Sequence, residues 1–226
     1  MTVFQKISVT VGKMISFTGS FNGRLHILLL LAIFLFTLAT GSAAAQSALR
    51  GDFEPFGPIP APGSQAKVKF EEFFNFTCPH CNNFRNAAKP LFKKYEGKLD
   101  HQYLPVLFRG QSDEPLRLYF IAEKLGRGAE VRSLIYDATF KYGVNINDPA
   151  IVNYLAKSAG LGVEYASDAR KPWVDEKIMH AQRRAALASV NATPTVVLAD
   201  TLRVLPRGGA DQFVNNLDQL IQQLLK

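Results

Sequence analysis

The fold and the chemistry of this chain are decided by one stretch, Val68-Lys69-Phe70-Glu71-Glu72-Phe73-Phe74-Asn75-Phe76-Thr77-Cys78-Pro79-His80-Cys81. Its aromatic first part, Val68–Phe76, predicts a short strand that is buried on at least one face. A helical pattern begins at Pro79, a residue that suits the first turn of a helix because an N–H there has no intrahelical partner. Cys78 and Cys81 are the only cysteines among 226 residues, so they cannot join a larger disulfide framework. Two thiols at this spacing can close as a disulfide and reopen, which predicts thiol–disulfide exchange.

The rest of the chain shows strand and helix patterns in a fixed order. After the first strand, apolar periodicity predicts a helix from Pro79 to about Tyr95, kinked at Pro90, and then a strand Leu99–Leu107 that Pro105 moves to a sheet edge. About four helices are predicted to follow within Glu114–Ala188, and the last of them begins at Lys171 or Pro172. The chain is predicted to end with two strands, Thr195–Ala199 and Leu202–Leu205, and a closing helix Ala210–Leu225. A βαβ half followed by a ββα half is the layout of the thioredoxin fold. We therefore predict an α/β protein whose residues 65–226 form a thioredoxin fold, with an all-helical subdomain inserted at about residues 113–190.

Residues 1–45 differ in composition from everything that follows. They hold three basic residues, no acidic residue, and a run Ile27–Ala39 that is apolar except for Thr37, before a small-residue ending. This order is typical of a secretory signal peptide, here cleaved after Ala45. A retained membrane anchor is the alternative, although a spanning helix needs about 20 apolar residues. The proline-rich segment 46–64 is predicted to be extended.

Charge and length narrow the class of protein. Without the basic residues of region 1–45, the formal net charge falls from +7 to +4, an ordinary mildly basic surface. No run of Lys and Arg and no interleaving of aromatic with basic residues accompanies this charge, so we expect no binding of nucleic acid. Residues 46–226 suffice for a single domain with a sizeable core.

The reactivity of Cys78 depends on how readily its thiol ionises, because the thiolate is the nucleophile. At the junction of strand and helix, free N–H groups and the helix dipole favour negative charge, and a protonated His80 adds a positive charge. Each unit by which the pKa falls stabilises the ionised, reduced form by about 1.4 kcal/mol, which makes the disulfide about 30 mV more oxidising. We expect Cys78 to be the exposed sulfur that exchanges with a substrate and Cys81 to be the deeper, resolving sulfur.

Two other interpretations of the cysteine pair are a structural disulfide and a thiolate metal site. A disulfide that closes so small a loop would constrain the unfolded chain little. A zinc site needs four ligands, and the histidines that could supply two of them are His26, His80, His101 and His180. Copper(I) accepts two thiolates, but no Met-rich segment accompanies them. We expect neither a metal nor a cofactor.

The string E-F-F-x-F-x-C-P-H-C in Glu72–Cys81 resembles the DsbA-type periplasmic thiol:disulfide oxidoreductases of the thioredoxin-like superfamily. The resemblance covers most of residues 65–226. It implies a monomeric enzyme that donates its disulfide to reduced exported proteins and is reoxidised by a DsbB-like, quinone-linked membrane partner. A periplasmic reductase or isomerase of the same fold, kept reduced by another membrane donor, is the alternative.

The resemblance also implies roles for three further residues. Thr193-Pro194 resembles the cis-proline loop that faces the cysteines in thioredoxin-like folds and presents the main chain of Thr193 to a peptide substrate. A plain trans proline before a strand is the alternative. Glu72 matches the family's buried acidic residue, which would pass protons to and from Cys81. Alternatively Glu72 faces solvent beside Glu71, because only one of two adjacent strand residues is expected to point inward.

Overall fold

The computed structural model describes residues 48–226. The expected signal peptide, or the alternative anchor, at residues 1–45 lies outside the described residues. No helix within residues 48–226 is long and apolar enough to cross a membrane.

One mixed sheet of five strands carries the fold in this part of the chain. The strands are β1 (Glu54–Pro55), β2 (Val68–Phe74), β3 (Leu99–Pro105), β4 (Thr195–Leu198) and β5 (Leu202–Val204). They lie in the order β1-β5-β4-β2-β3, with β2 parallel to β3 and every other neighbouring pair antiparallel. The strand that contains Pro105 is at a sheet edge, in agreement with the prediction.

Eight helices accompany the sheet among the described residues. They are α1 (Pro79–Ala87), α2 (Lys89–Lys94), α3 (Glu114–Lys124), α4 (Gly128–Phe140), α5 (Pro149–Ser158), α6 (Gly162–Asp168), α7 (Pro172–Leu187) and α8 (Ala210–Leu224). The order β2-α1-α2-β3 forms one half of the fold and β4-β5-α8 the other, with α3–α7 inserted between them. This is the element order of the predicted thioredoxin fold with an all-helical insertion.

Two helix predictions need correction. The single helix predicted from Pro79 to Tyr95 is two helices, because Pro90 has no N–H to bond the carbonyl of Asn86 and the helical ladder stops at Ala88. The insertion holds five helices rather than about four. The additional one, Gly162–Asp168, has only seven residues, too few to show a helical period in the sequence.

The strand β2 lies at the centre of the hydrophobic core, with six of its seven residues buried. Phe70 packs in a cluster with Phe84 of α1 and residues of α8. Phe74 packs in a second cluster with Tyr119 and other residues of the insertion, and this cluster includes Cys81. Since burying a Phe side chain contributes about 1.5–3 kcal/mol, the sequence before the cysteines holds the two halves and the insertion together.

Residues 48–55, which the sequence predicts only as extended, are attached to the sheet and to α8. β1 pairs with β5, and an ion pair of 2.6 Å joins Glu54 Oε2 to Arg203 Nη2. The main-chain N–H of Arg50 donates to the side chain of Gln223 at 2.8 Å, and Leu49 is buried in the cluster that includes α8. This segment therefore covers β5, which would otherwise be an open sheet edge.

Candidate active site

Cys78 lies where the chain passes from β2 into α1. It is the N-cap residue of α1, with extended φ and ψ of −90° and 113°. The main-chain N–H of Cys81 donates to the sulfur of Cys78 at 3.3 Å. The sulfur thus takes the place of the oxygen that normally caps a helix N-terminus, and negative charge on it is favoured by the helix dipole.

The two thiols differ in how readily they ionise. A hydrogen bond from the thiol of Cys81, aided by Thr193 and by the main-chain N–H groups of Cys81 and His80, lowers the pKa of Cys78 to about 5, although burial acts in the opposite direction. Burial raises the pKa of Cys81 well above the ordinary range, and the hydrogen bond to Cys78 adds to this. Cys78 is half-buried and Cys81 is only 1% exposed. At neutral pH the pair consists of an accessible thiolate and a buried thiol.

The loop before β4 faces the dithiol. The peptide bond between Thr193 and Pro194 is cis, in agreement with the prediction of a cis-proline loop. When protonated, the thiol of Cys78 donates to the main-chain carbonyl of Thr193, with a sulfur–oxygen distance of 3.2 Å. The N–H groups and carbonyls of this loop are therefore within reach of a chain bound to Cys78.

A groove of about 380 Å³ lies between the start of α1 and the cis-proline loop, next to His80. It is lined by His80 and Phe84 of α1, by Thr193 and Pro194, and by Pro206 and residues 208–210. Pro79 and His80 are exposed, and the groove is lined mainly by apolar surface. It can accept an apolar side chain of a bound peptide.

Glu71 and Glu72 are both buried, at 1% and 2% exposure. The expectation that only one of two adjacent glutamates would be buried is wrong, because β2 is covered on both faces. Glu71 pairs with Arg184 of α7 on one face, at 2.6 Å. On the other, Oε1 of Glu72 lies 3.3 Å from Arg132 of α4, and Oε2 lies 3.3 Å from Nε2 of His101.

The chain matches a known protein family. A family model described as thioredoxin matches residues 63–218, more than half of the chain. The chain belongs to the thioredoxin family.

Its relatives are DsbA-type enzymes. The chain is 27% identical to the thiol:disulfide interchange protein DsbA of Burkholderia cepacia over 172 residues, which is 75% of this chain and 80% of the relative. It is 25% identical to DsbA of Pseudomonas aeruginosa, over 74% of this chain and 79% of that protein. Together with the dithiol at the start of α1, these matches confirm the prediction of a DsbA-type thiol:disulfide oxidoreductase.

Solved structures of the same type share the fold. The crystal structure of DsbA from Xylella fastidiosa superposes with a TM-score of 0.62 at 22% identity, covering 75% of this chain and 90% of that one. The crystal structure of Pseudomonas aeruginosa DsbA gives a TM-score of 0.64 at 20% identity, covering 76% and 91%. The predicted α/β class and the thioredoxin fold with its helical insertion are confirmed.

Three residues around the dithiol of this thioredoxin-family enzyme were missed by the sequence analysis. Asn75 binds the turn before Cys78, Tyr136 donates from its hydroxyl to the carbonyl of Asn75 at 3.3 Å, and Arg132 pairs with Glu72. Signals for two of them exist. Asn75 interrupts a run of phenylalanines, and Arg132 precedes Tyr136 by one helical turn on a face that is otherwise apolar.

Proposed function

We propose that this protein is a disulfide donor, whose Cys78–Cys81 disulfide passes to reduced proteins that have been exported to the periplasm. The observation that carries the proposal is the position of the Cys78 sulfur at the N-terminus of α1, where it accepts the N–H of Cys81. Stabilising the thiolate favours the reduced dithiol, and a stable dithiol makes its disulfide a stronger oxidant. The names of the DsbA relatives, thiol:disulfide interchange proteins, support an exchange reaction at this pair.

The reaction proceeds by two exchanges. A substrate thiolate attacks the sulfur of Cys78, a sulfur–sulfur bond forms between them, and the Cys78–Cys81 bond breaks. Cys81 leaves with the electron pair and takes up a proton. A second substrate thiolate then attacks the substrate sulfur of the mixed disulfide, and Cys78 leaves as a thiolate. Two electrons pass from the substrate to the enzyme, and the low pKa of Cys78 makes it a good leaving group in the second exchange.

We propose that three further residues, His80, Pro79 and Glu72, assist the exchange. His80, exposed beside Cys78, adds positive charge to the site when it is protonated, and Pro79 fixes the first turn of α1. Glu72 passes protons to and from Cys81, a role that its burial within β2 and its contact with His101 support.

Substrates bind across the groove and the cis-proline loop. The main chain of Thr193 forms β-type hydrogen bonds with an extended peptide, and Pro194 lines the groove that takes an apolar side chain. Because these contacts involve only the main chain and an apolar side chain of the substrate, we propose broad specificity for reduced exported proteins.

The enzyme needs an electron acceptor to regain its disulfide. We propose a DsbB-like membrane protein that passes the two electrons to quinone, as the resemblance to DsbA-type enzymes implies. The enzyme itself acts as a monomer without a cofactor.

Export by a signal peptide is the remaining part of the proposal. We propose that residues 1–45 direct the chain to the periplasm and are removed after Ala45. Mass spectrometry of the protein recovered from a periplasmic fraction is expected to show Gln46 as the first residue. Recovery of the intact chain from the membrane fraction would instead support the retained anchor.

The redox equilibrium of the purified protein with glutathione buffers tests the direction of transfer. We expect half-reduction at a potential well above that of thioredoxin. A potential near or below that of thioredoxin would show that the enzyme is a reductase or isomerase supplied with electrons from the membrane.

A further inference from the structure

We propose that Asn75 is a positioning residue of the redox reaction: its side chain and its carbonyl hold the turn before α1 so that the sulfur of Cys78 lies at the helix N-terminus. The inference rests on the proposed role of Cys78 and names the residue that sets how strongly the Cys78 thiolate is stabilised.

The side-chain oxygen of Asn75 shapes this turn. Asn75 directly follows β2 and is 4% exposed. Its Oδ1 accepts the main-chain N–H of Thr77 at 2.8 Å and the hydroxyl of Thr77 at 2.7 Å. An Asn side chain that bonds the N–H two residues ahead forms an Asx turn. The bend that directs the chain from β2 toward Cys78 therefore depends on this side chain.

The side-chain amide of Asn75 anchors the turn to the next loop. Its Nδ2 donates to the carbonyl of Val106 at 2.8 Å and to Oε1 of Gln111 at 2.6 Å. Nε2 of Gln111 donates in turn to the hydroxyl of Thr77 at 2.7 Å. Both hydrogens of the Asn75 amide are used, and a buried polar network whose members are all satisfied is rigid.

The main chain of Asn75 contacts both thiol residues. Its carbonyl accepts the N–H of Cys78 at 3.1 Å and the hydroxyl of Tyr136 at 3.3 Å. Its own N–H lowers the pKa of the Cys81 thiol, against the rise that burial causes. One residue thus fixes the position of Cys78 and also acts on the pKa of Cys81.

Removing the Asn75 side chain leaves the N–H of Thr77 and the amide of Gln111 without their partner. The turn then relaxes, the carbonyl of residue 75 no longer fixes Cys78, and the N–H of Cys81 donates less well to the Cys78 sulfur. The thiolate loses stabilisation, so we expect the pKa of Cys78 to rise by about one unit, a tenfold change in the ionisation constant.

The test compares Asn75→Ala and Gln111→Ala with the wild-type protein. The pKa of Cys78 is measured from the ultraviolet absorbance of the thiolate as a function of pH, and the redox equilibrium is measured against glutathione. In Asn75→Ala we expect the pKa to rise by about one unit and the equilibrium constant for reduction at pH 7 to fall about tenfold. In Gln111→Ala, which keeps the Asx turn, both changes are smaller and have the same sign.

The matched control is Tyr165→Phe, which removes a buried hydroxyl donated to Glu114 in the insertion and no bond to the turn. We expect it to lower the free energy of unfolding without moving the pKa of Cys78 or the redox equilibrium. Equal pKa values and equilibria in all variants would overturn the inference, whatever happens to their stability. If Asn75→Ala does not fold, the pKa of Cys78 and the redox equilibrium of Gln111→Ala test the inference. A wild-type reduction potential no higher than that of thioredoxin would overturn the disulfide-donor function instead. The difference in the pKa of Cys78 between the variants would still test the positioning role of Asn75.

Discussion

The sulfur of Cys78 accepts the N–H of Cys81 at the helix N-terminus, whereas the sulfur of Cys81 lies among the aromatic side chains of the core. The hydrogen bond from Cys81 lowers the pKa of Cys78 to about 5, and burial keeps Cys81 protonated. In the unfolded chain both thiols have ordinary pKa values. A group whose pKa is lower in the folded state stabilises that state at pH values above its folded pKa.

The reduced folded protein is therefore expected to gain stability from the Cys78 thiolate at neutral pH. The contribution is complete above the ordinary thiol pKa and is lost as the pH falls through about 5. At pH 7 we expect it to be about 1–3 kcal/mol, the lower part of this range allowing for solvent screening at a half-buried group. Urea unfolding of reduced wild-type protein and of Cys78→Ser measures it. The variant is expected to be less stable at pH 7 and equally stable near pH 4, and a difference independent of pH would contradict the thiolate assignment.

Glu72 can act on proton transfer or only on packing, and substitution separates the two. Glu72→Gln removes the carboxylate and leaves Arg132 as a buried cation without a partner, which is expected to cost about 3–5 kcal/mol of stability. If the carboxylate serves Cys81, the same variant slows the proton-dependent exchange by about 100-fold, within the usual range for a positioned acid–base group.

The double variant Glu72→Gln/Arg132→Met provides the control for this prediction. It removes both buried charges, so stability is expected to recover while the rate of dithiol oxidation, measured as a function of pH by rapid mixing, stays low. A rate that recovers together with stability would show that Glu72 acts only through packing.

Among individual residues, the sequence predicted what depends on local chemistry and missed what depends on distant partners. The roles of Cys78 and Cys81 as the exposed and the buried sulfur follow from their order at a helix start. Arg132 lies 60 residues from Glu72 in the chain, and Gln111 lies 36 from Asn75. The sequence marks Asn75 and Arg132 as unusual residues, but no local pattern reports which distant residues they contact.

Individual elements were predicted best where apolar periodicity is long. The closing helix α8 has Phe213, Leu217, Leu220, Ile221 and Leu224 buried on one face, as its period predicts. The two-residue strand β1 was missed because it exists only through its pairing with β5. The adjacent glutamates of β2 were misjudged because alternation predicts one buried face, and this strand has two.

The helix α7 is attached to β2 by a buried ion pair that is separate from the redox site. Nε and Nη2 of Arg184 bind the two carboxylate oxygens of Glu71 at 2.7 and 2.6 Å. Arg184→Met leaves Glu71 buried with only Lys69 at 3.5 Å, so we expect the free energy of unfolding to fall by about 3–5 kcal/mol. Because Glu71 and Glu72 point to opposite faces of β2, the redox equilibrium with glutathione is expected to stay unchanged.

The exposed neighbour Arg183 supplies a matched control for this element. Arg183→Met removes the same charge from α7 and is expected to change the free energy of unfolding by less than about 0.5 kcal/mol. Denaturant unfolding of the two variants is the measurement. A shift of the redox equilibrium in Arg184→Met would show that the two faces of β2 are coupled.

Across residues 48–226, the helical insertion and the redox strand share one hydrophobic cluster. Phe73, Phe74 and Cys81 pack with Tyr119 and Ile135 of the insertion. An insertion that shares its core with the sheet has no separate interior to unfold independently. The predicted helical insertion is confirmed, and its hydrophobic core is continuous with that of the sheet.

The segment that precedes β2 is expected to stabilise the whole fold without tuning the dithiol. A chain that begins at residue 65 loses the pairing of β1 with β5, the Glu54–Arg203 ion pair and the buried side chain of Leu49. We expect its free energy of unfolding to be lower by about 2–5 kcal/mol than that of a chain beginning at Gln46, mainly from apolar burial and strand hydrogen bonds. Leu49→Ala in the longer chain should account for about 2 kcal/mol of this loss. Urea unfolding and the glutathione equilibrium are measured on all three proteins. Equal stability of the short and long chains, or a redox equilibrium that moves with chain length, would contradict this division between fold and site.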